Sequence, residues 1–293
     1  MNCYSVLITA VMMIAVTLGA AVKSGLDFVD PMIGTEGSGT EYGGTVPAVG
    51  VPFGSMHVVP VTRTNGISRT SFNSADTHLL GFILSRQPAI WMGEWGAVRI
   101  WLDKPLPIES IDATPYFLRV NAGGRMYEAT ASAHSAFFRT DDTRFGMYLP
   151  REGSSAERTE RTSTQPMLRF RNYFRTEKCN GLLKIGVSLI SRDNARLHLD
   201  RELRGGFDAV VARTRREWEG LMKRIEINAS ENVKRIFYTG IYHALLCPRE
   251  LTECDGRHYS GVDDRVHNGT GWTCFSLWDT YRAAHPLYTL LVP

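Results

Sequence analysis

The stretch WGAVRIWL at residues 95–102 decides how the first half of the chain folds, because its side chains alternate between two faces. Val98, Ile100 and Leu102 share one face, whereas Arg99 and Trp101 fall on the other. A period of two is typical of a β-strand with one buried face. The alternation recurs at residues 116–120 and 182–190, and along a single run at 125–139 whose shared face holds Tyr127, Ala129, Ala131, Ala133 and Phe137. Several such strands with turn residues between them predict an antiparallel β-sandwich.

The hydrophobic period changes after residue 191, where helical spacing begins. Gly205 and Gly206 precede one apolar stripe, formed by Phe207, Val210, Val211, Trp218, Leu221, Met222 and Ile225. Ser230 is a predicted N-cap for a second helix that stops before Pro248, with the stripe Val233, Ile236, Phe237, Ile241, Ala244 and Leu245. A third helix is predicted from Ser276, bent or ended by Pro286. The order predicts an α+β chain with a boundary between residues 190 and 230.

The N-terminus carries an uncharged run, VLITAVMMIAVTLGAAV, at residues 6–22. That length is short for a membrane-spanning helix, and the small residues at 19–21 offer a cleavage site. We expect residues 1–21 to be a signal peptide, which predicts an exported protein (periplasmic, cell-surface or secreted) with no membrane span after cleavage. The basic residues that usually precede such a run are absent, so an uncleaved anchor is the alternative.

The composition is that of a packed globular protein. The 293 residues carry a formal net charge of +3, with 22% charged and 43% hydrophobic residues. The arginines are scattered, so no nucleic-acid partner is predicted. The Gly- and Pro-rich segment at 27–64 is interpreted either as a structural loop or as the rim of a pocket, and the polar stretch at 151–166 as an exposed loop or linker.

Four cysteines remain after removal of the signal peptide: Cys179, Cys247, Cys254 and Cys274. A disulfide between Cys247 and Cys254 and a set of free buried thiols are both compatible with the sequence. Zinc is disfavoured, because no Cys-x-x-Cys and no local His and Cys cluster is present. The acidic loop with Asp255, Asp263 and Asp264 lacks the spacing of a calcium-binding EF-hand, so a solvated loop is expected.

The segment RQPAIWMGEWG at 86–96 places Trp91, Glu94 and Trp95 around a turn. Aromatic faces pack against the C–H bonds of sugar rings, and a carboxylate can bond hydroxyl groups. Filling of the core by the two tryptophans is the alternative.

The segment FSLWDTYR at 275–282 places Asp279 beside Trp278 and three residues before Arg282. An acidic residue in the first turn of a helix stabilises that helix, so a purely structural role of Asp279 is the alternative to sugar binding. Residue-level reasoning alone selects no acid and base pair.

Taken together, several stretches resemble glycoside hydrolase family 92, which comprises exported, calcium-dependent α-mannosidases, many of them specific for α-1,2 linkages. They are DPMIGTEGSGTEYGGTVPAVGVPFG at 30–54, SRQPAIWMGEWG at 85–96, FYTGIYHALLCPRE at 237–250 and FSLWDTYRAAHPLYTLL at 275–291. VSLISRDNARLHLDRE at 187–202 resembles the passage from sandwich to helices in that family. These stretches follow the family's order along the chain.

The resemblance implies a β-sandwich domain at 22–190, linker helices at 191–230, and at 231–293 the truncated start of an (α/α)6 toroid. Such enzymes invert configuration with an acid and a base about 6.5–9.5 Å apart. In the family these groups and most calcium contacts come from the later helical part, so no catalytic residue and no metal ligand is assigned here. Inactivity of this chain alone is expected. Residues 141–182 are shorter than the family pattern, which predicts missing sandwich strands.

The resemblance also assigns roles to individual residues. Trp91 matches the tryptophan that reaches the sugar pocket from the sandwich, and Trp278 and Asp279 match a Trp-Asp-Thr motif beside the terminal mannose. Glu94, Trp95 and Arg282 are further candidates for substrate binding. Mannose-containing glycans and the missing remainder of the catalytic domain are the expected partners. The rival hypotheses are a carbohydrate-binding module and a non-functional remnant.

Overall fold

A large antiparallel sheet forms the first part of the protein in the computed structural model, which describes residues 23–37, 44–63, 70–84, 98–145, 173–273 and 280–293. The strands run in the order β1-β2-β3-β4-β5-β6-β8-β7, and each neighbouring pair is antiparallel. Their bounds are β1 Val58–Val61, β2 His78–Leu84, β3 Val98–Thr114, β4 Phe117–Ala122, β5 Arg125–Ala131, β6 Ser135–Thr140, β7 Tyr173–Cys179 and β8 Leu182–Ser188.

The long strand β3 joins the two halves of the curled sheet. The first part of β3 pairs with β2 and its second part pairs with β4. Phe82 on β2 contacts Phe138 on β6 at a ring-centroid distance of 5.4 Å, although these strands are not neighbours in the sheet. Their contact lies in the main apolar core, which confirms the predicted sandwich-like packing. Val98 and Ile100 point into that core, as their alternation predicts.

The predicted single strand at 125–139 is wrong, since a turn divides it into β5 and β6. The backbone N–H of Ser132 donates to the carbonyl of Ser135 at 2.9 Å and closes this turn. The turn reverses the alternation, so Phe138 rather than Phe137 joins Tyr127 in the sheet core. Phe137 instead packs on the helices that follow.

Helices follow the sheet, and two of the caps are serines. The bounds are α1 Arg192–Glu202, α2 Phe207–Met222, α3 Glu231–Ala244 and α4 Ala284–Leu291. The predicted N-cap Ser230 is confirmed, since its hydroxyl accepts the backbone N–H of Val233. The fold class is therefore α+β, with the sheet preceding the helices. No helix within these described ranges combines the length and apolar character needed to cross a membrane.

Two helical predictions need correction. On α3 the apolar stripe is partly exposed, with Val233 at 50% and Ile236 at 67% of full exposure. The later part of the stripe is buried as predicted, at Ile241 and Leu245. The helix also buries Tyr238 and Tyr242, because their rings contact Phe28 and Trp218. Pro286 neither bends nor ends its helix but lies in the first turn of α4, where a missing N–H costs no hydrogen bond.

A second core joins the helices to the start of the chain. Trp218 of α2 is fully buried and donates its indole N–H to the carbonyl of Gly50 at 2.7 Å. Tyr242 of α3 donates its hydroxyl to the carbonyl of Ala48 at 2.6 Å. A short 3-10 helix, Gly25–Phe28, packs Leu26 into the same core. This segment thus belongs to the helical layer, and a small hairpin of β9 (Arg257–Ser260) and β10 (Arg265–Asn268) follows α3.

Candidate functional site

The predicted sugar-binding residues fall mostly outside the described part of the chain. Arg282 is described, and it is exposed at the turn before α4. Its Nε donates to the hydroxyl of Tyr281 at 2.8 Å, and its guanidinium lies 5.5 Å from that ring's centroid. Arg282 therefore has a local partner, and its role in sugar binding stays a prediction. Five candidates lie outside the described residues: Trp91, Glu94, Trp95, Trp278 and Asp279.

A cavity of about 150 Å³ lies where the Gly- and Pro-rich segment meets the end of α3. Burial lowers the pKa of His243, whose Nε2 is buried without a hydrogen-bond partner. Burial also raises the pKa of Cys247. Both groups are therefore neutral near pH 7. The described lining is Gly44, Thr45, Val46, Ala48, His57, Val59, His243, Leu246 and Cys247, which includes no carboxylate.

A second cavity, of about 200 Å³, opens at the other end of the sheet between β6, β7 and β8. Asp142 is the carboxylate in its described lining. Burial would raise the pKa of Asp142, but hydrogen bonds from Tyr127 and the backbone of Arg144, together with Arg125, hold this pKa below its usual value. This carboxylate is fully engaged with the protein, which indicates a structural role.

Buried Glu128 is also structural. Its carboxylate accepts hydrogen bonds from the guanidinium groups of Arg119 and Arg139 on the neighbouring strands. Glycoside hydrolysis generally requires two carboxyl groups flanking one bond. In the described residues neither cavity brings two carboxylates together.

A third site, which we call the junction cluster, lies where the sheet meets α1. It consists of His134 in the turn between β5 and β6, His198 and Glu202 on α1, and Cys254 in the loop before β9. One donor atom from each residue lies within 4.8 Å of the other three. The two imidazole rings are stacked, with centroids 4.3 Å apart.

The carboxylate of Glu202 is the electrostatic centre of the junction cluster. Its Oε1 lies 2.8 Å from Nδ1 of His134, and its Oε2 accepts the hydroxyl of Ser132 at 2.6 Å. Burial would raise the pKa of Glu202, but these hydrogen bonds and the charges of the two histidines hold it at about 2. Burial raises the pKa of Cys254 to about 12, with a further contribution from Glu202. The resting cluster therefore contains an ionised carboxylate and a protonated thiol.

Sequence reasoning missed the junction cluster and disfavoured zinc, because its members come from separate segments of the chain. The one local signal is the spacing of His198 and Glu202, four residues apart on one face of α1. Cys179, Cys247 and Cys254 are free thiols, so the alternative of a disulfide between Cys247 and Cys254 is wrong. Cys274 lies outside the described residues.

Calcium does not fit the residues that the structure describes. Calcium prefers six to eight oxygen ligands, whereas the junction cluster offers two nitrogen donors, one sulfur donor and one carboxylate. The acidic loop is also engaged, because Asp255 pairs with Arg257, Asp263 with His267, and Asp264 with Tyr259. These contacts are short side-chain bonds of 2.6 to 2.9 Å. No calcium ligand is therefore assigned in this part of the chain.

Two regions of the chain match one family of carbohydrate-cleaving enzymes. Residues 28–105 match the glycosyl hydrolase family 92 N-terminal domain, and residues 194–293 match the glycosyl hydrolase family 92 catalytic domain. The chain belongs to glycosyl hydrolase family 92, as the sequence resemblance predicts. No curated protein matches the chain.

Solved structures share the fold. An inverting mannosidase of family GH92 from Bacteroides thetaiotaomicron is 24% identical, with a TM-score of 0.74 over 91% of this chain and 46% of its own. A family GH92 α-mannosidase from the same organism is 19% identical, with a TM-score of 0.72 over 92% of this chain and 48% of its own. A complex of the latter with mannoimidazole gives a TM-score of 0.71. The chain spans about half the length of these structures.

Proposed function

We propose that this protein supplies the sandwich and the first helices of an inverting α-mannosidase that removes terminal α-mannosides, often α-1,2-linked, from glycans. The main support for this proposal is the fold similarity to an inverting mannosidase over 91% of this chain and 46% of that protein. The matches to the N-terminal and catalytic domains of one hydrolase family support the same proposal. The proposal includes export from the cytoplasm, and the division into a sandwich at 22–190, linker helices at 191–230 and the start of the helical domain at 231–293.

The 293-residue chain alone is proposed to be catalytically inactive. The buried carboxylates of Glu128, Asp142 and Glu202 are each committed to neighbouring side chains in the described structure. Inverting hydrolysis needs an acid and a base on opposite sides of the glycosidic bond. Calcium is proposed for the complete active site, with no ligand assigned in this chain.

Substrate binding is proposed for Trp91, which stacks on the sugar, and for Asp279, which bonds a mannose hydroxyl. Trp278, Glu94, Trp95 and Arg282 are proposed neighbours of the same sugar. The support for these roles is the residue-by-residue resemblance of their motifs to the family. A tryptophan face can bind a sugar without any catalytic group, so binding and turnover are separable in this chain.

The test compares turnover and binding with the same preparations. The purified chain is incubated with an α-1,2-mannobiose and calcium, and mannose binding is followed by calorimetry. We expect no hydrolysis, and saturable mannose binding that Trp91→Ala weakens at least tenfold. Trp101→Ala, which removes a partly exposed tryptophan on β3, is the matched control and should bind like the wild type.

Each outcome bears on a different part of the proposal. Hydrolysis by the chain alone contradicts its catalytic inactivity. Equal binding by the wild type and Trp91→Ala contradicts the role of Trp91. A folded chain that neither binds mannose nor cleaves the disaccharide contradicts mannoside recognition and favours the remnant hypothesis.

A further inference from the structure

We propose that the junction cluster binds zinc or another late first-row divalent cation. The junction cluster shares no residue with the proposed sugar-binding set, and the proposal does not depend on mannosidase activity. Its residues come from the sheet, from α1 and from the loop before β9. An ion bound there links the sandwich to the helical part of the chain.

The first argument is convergence of donors of a suitable kind. The junction cluster supplies two imidazoles, one thiol and one carboxylate, with one donor atom from each within 4.8 Å of the others. In a tetrahedral zinc site with bonds of about 2.0–2.3 Å, neighbouring donors are roughly 3.3–3.8 Å apart. The junction cluster reaches that geometry with side-chain shifts on the order of 1 Å.

The second argument is an unsatisfied buried nitrogen. His134 is only 8% exposed, and its Nε2 is buried with no hydrogen-bond partner. Buried polar atoms are nearly always satisfied, so an unpartnered imidazole nitrogen in a donor cluster indicates an absent ligand. The other nitrogen of this ring, Nδ1, lies 2.8 Å from Oε1 of Glu202, so the ring is held against another member of the cluster.

The third argument is the tautomer of His198. Its Nδ1 lies 2.7 Å from the carbonyl oxygen of Val187, which can only accept a hydrogen bond. Nδ1 therefore carries the proton, and Nε2 presents a lone pair. That lone pair accepts the backbone N–H of Cys254 at 3.4 Å, a long contact that an ion readily replaces.

The fourth argument is charge. The junction cluster contains the ionised carboxylate of Glu202, and buried Glu253 lies 3.7 Å from Nε2 of His198. Within the described ranges, neither carboxylate is paired with a lysine or an arginine. Nearby Arg201 and Arg213 donate to main-chain carbonyl groups instead. Positive charge reaches Glu202 from the histidines of the cluster, and a divalent cation adds the charge that offsets the second buried carboxylate, Glu253.

The donor set selects the class of ion. Imidazole and thiolate ligands favour zinc and its neighbours in the first transition row, whereas calcium and magnesium prefer oxygen. When the ion binds, the thiol of Cys254 loses its proton to solvent and its sulfur bonds to the metal. The proton displaced is the one that the Cys254 thiol donates to Oε1 of Glu202, with Sγ and Oε1 3.4 Å apart.

The test uses the whole chain, stripped of metal with a chelator and titrated with zinc alone by calorimetry. We expect one equivalent to bind, and Cys254→Ser and His198→Gln each to weaken zinc binding at least tenfold. Cys179→Ser is the matched control, because Cys179 is an exposed free thiol on β7 away from the junction cluster. Its affinity for zinc should equal that of the wild type.

Cobalt gives a second measurement that reports the ligands directly. A tetrahedral cobalt site with a thiolate ligand shows intense visible bands and a sulfur-to-cobalt charge-transfer band. The charge-transfer band should vanish in Cys254→Ser and persist in Cys179→Ser. Zinc at about 100-fold excess over its dissociation constant should also raise the midpoint of thermal unfolding of the wild type by about 5 °C.

Three results overturn the proposal. They are binding of less than one tenth of an equivalent of zinc to the wild type, equal affinity of Cys254→Ser and wild type, and calcium binding at the junction cluster as tightly as zinc. The thermal shift is measured on the wild type, so it remains decisive even when a variant fails to fold. Loss of mannose binding leaves the metal proposal untouched, which keeps the two proposals distinguishable.

Discussion

Replacing Tyr242 by phenylalanine tests how the helices are held on the sandwich. The hydroxyl of Tyr242 donates to the carbonyl of Ala48 at 2.6 Å inside the helical core. Phenylalanine keeps the ring but leaves this buried carbonyl without that donor. Loss of one partner of a buried hydrogen bond costs about 1–3 kcal/mol. We expect the free energy of unfolding to fall by that amount.

Trp218→Phe perturbs the neighbouring contact in the same core. It removes the indole N–H that donates to the carbonyl of Gly50 at 2.7 Å. By the same reasoning, this loss lowers the free energy of unfolding by about 1–3 kcal/mol. The smaller ring also leaves roughly 40 Å³ of space, worth about 1 kcal/mol in a packed core. The rings of Trp218 and Tyr242 are 5.4 Å apart, so the double variant should depart from additivity by about 0.5 kcal/mol or more.

The assay is urea unfolding followed by far-ultraviolet circular dichroism, because the loss of Trp218 changes fluorescence. Free energies come from linear extrapolation to water. Tyr281→Phe is the matched control, since Tyr281 is 62% exposed and the same atom is removed there. Its free energy of unfolding should change by less than about 0.5 kcal/mol. A Tyr242→Phe variant as stable as this control refutes the reasoning that these hydrogen bonds hold the helices on the sheet.

Three other perturbations follow from packing, charge and exposure. Gly186→Ala on β8 places a Cβ atom 2.3 Å from the carbonyl oxygen of Ala195 on α1, so urea unfolding should show a loss of about 1–3 kcal/mol in the free energy of unfolding. The control is Gly220→Ala on α2, whose Cβ meets no atom within 4 Å, and this variant should be as stable as the wild type or more stable. Asp142 has a pKa lowered in the folded state, so its stabilisation is complete above the unfolded pKa of about 3.9 and is lost as pH falls through the folded value. The stability gap between wild type and Asp142→Asn should therefore shrink on acidification below about pH 4, and a gap independent of pH in urea unfolding contradicts this. Ile236→Glu replaces a side chain that is 67% exposed, so urea unfolding should show a change of less than about 0.5 kcal/mol in the unfolding free energy.

Local periodicity predicted the first part of β3, β4, β8 and the cap of α3, because that information lies within a few neighbouring residues. Val98 and Ile100 point into the core between outward-facing positions, and Ser230 caps its helix with its own hydroxyl. The turn at Ser132 was missed since it contains neither glycine nor proline. Its closure depends on hydrogen bonds to Ser135 and to Glu202, which is distant in sequence.

The first turns of the predicted α3 stripe are exposed for a related reason. The apolar stripe through Val233 and Ile236 is regular, but burial depends on which elements meet the helix. The 3-10 helix and α2 contact the side of Tyr238 and Tyr242, whose hydroxyls both donate to backbone carbonyls. A pattern of apolar residues gives tyrosine less weight than isoleucine as a buried residue, although the rings of these two tyrosines fill more of the core.

Candidate sites could be proposed from the sequence only where they are local in it, and the sugar-binding roles stay predictions. The aromatic motifs around Trp91 and Asp279 are short segments that a family resemblance identifies. The junction cluster depends on contacts between His134 and Glu202, which are 68 residues apart, and between Glu202 and Cys254, which are 52 apart. Such pairs carry no pattern in a single sequence, and they appear only when the chain has folded.

The packing of the 3-10 helix Gly25–Phe28 against the helices also sets the order in which the protein can mature. The backbone N–H of Asp30 donates to the hydroxyl of Thr239, 209 residues later, and Leu26 shares a core with Trp218 and Tyr238. The beginning of the chain emerges from the ribosome long before these partners are made. Until α3 arrives, Leu26 is an exposed apolar side chain that a chaperone can hold. Contacts of such long sequence separation also close slowly. Completion of the helical layer is therefore a late event in biogenesis.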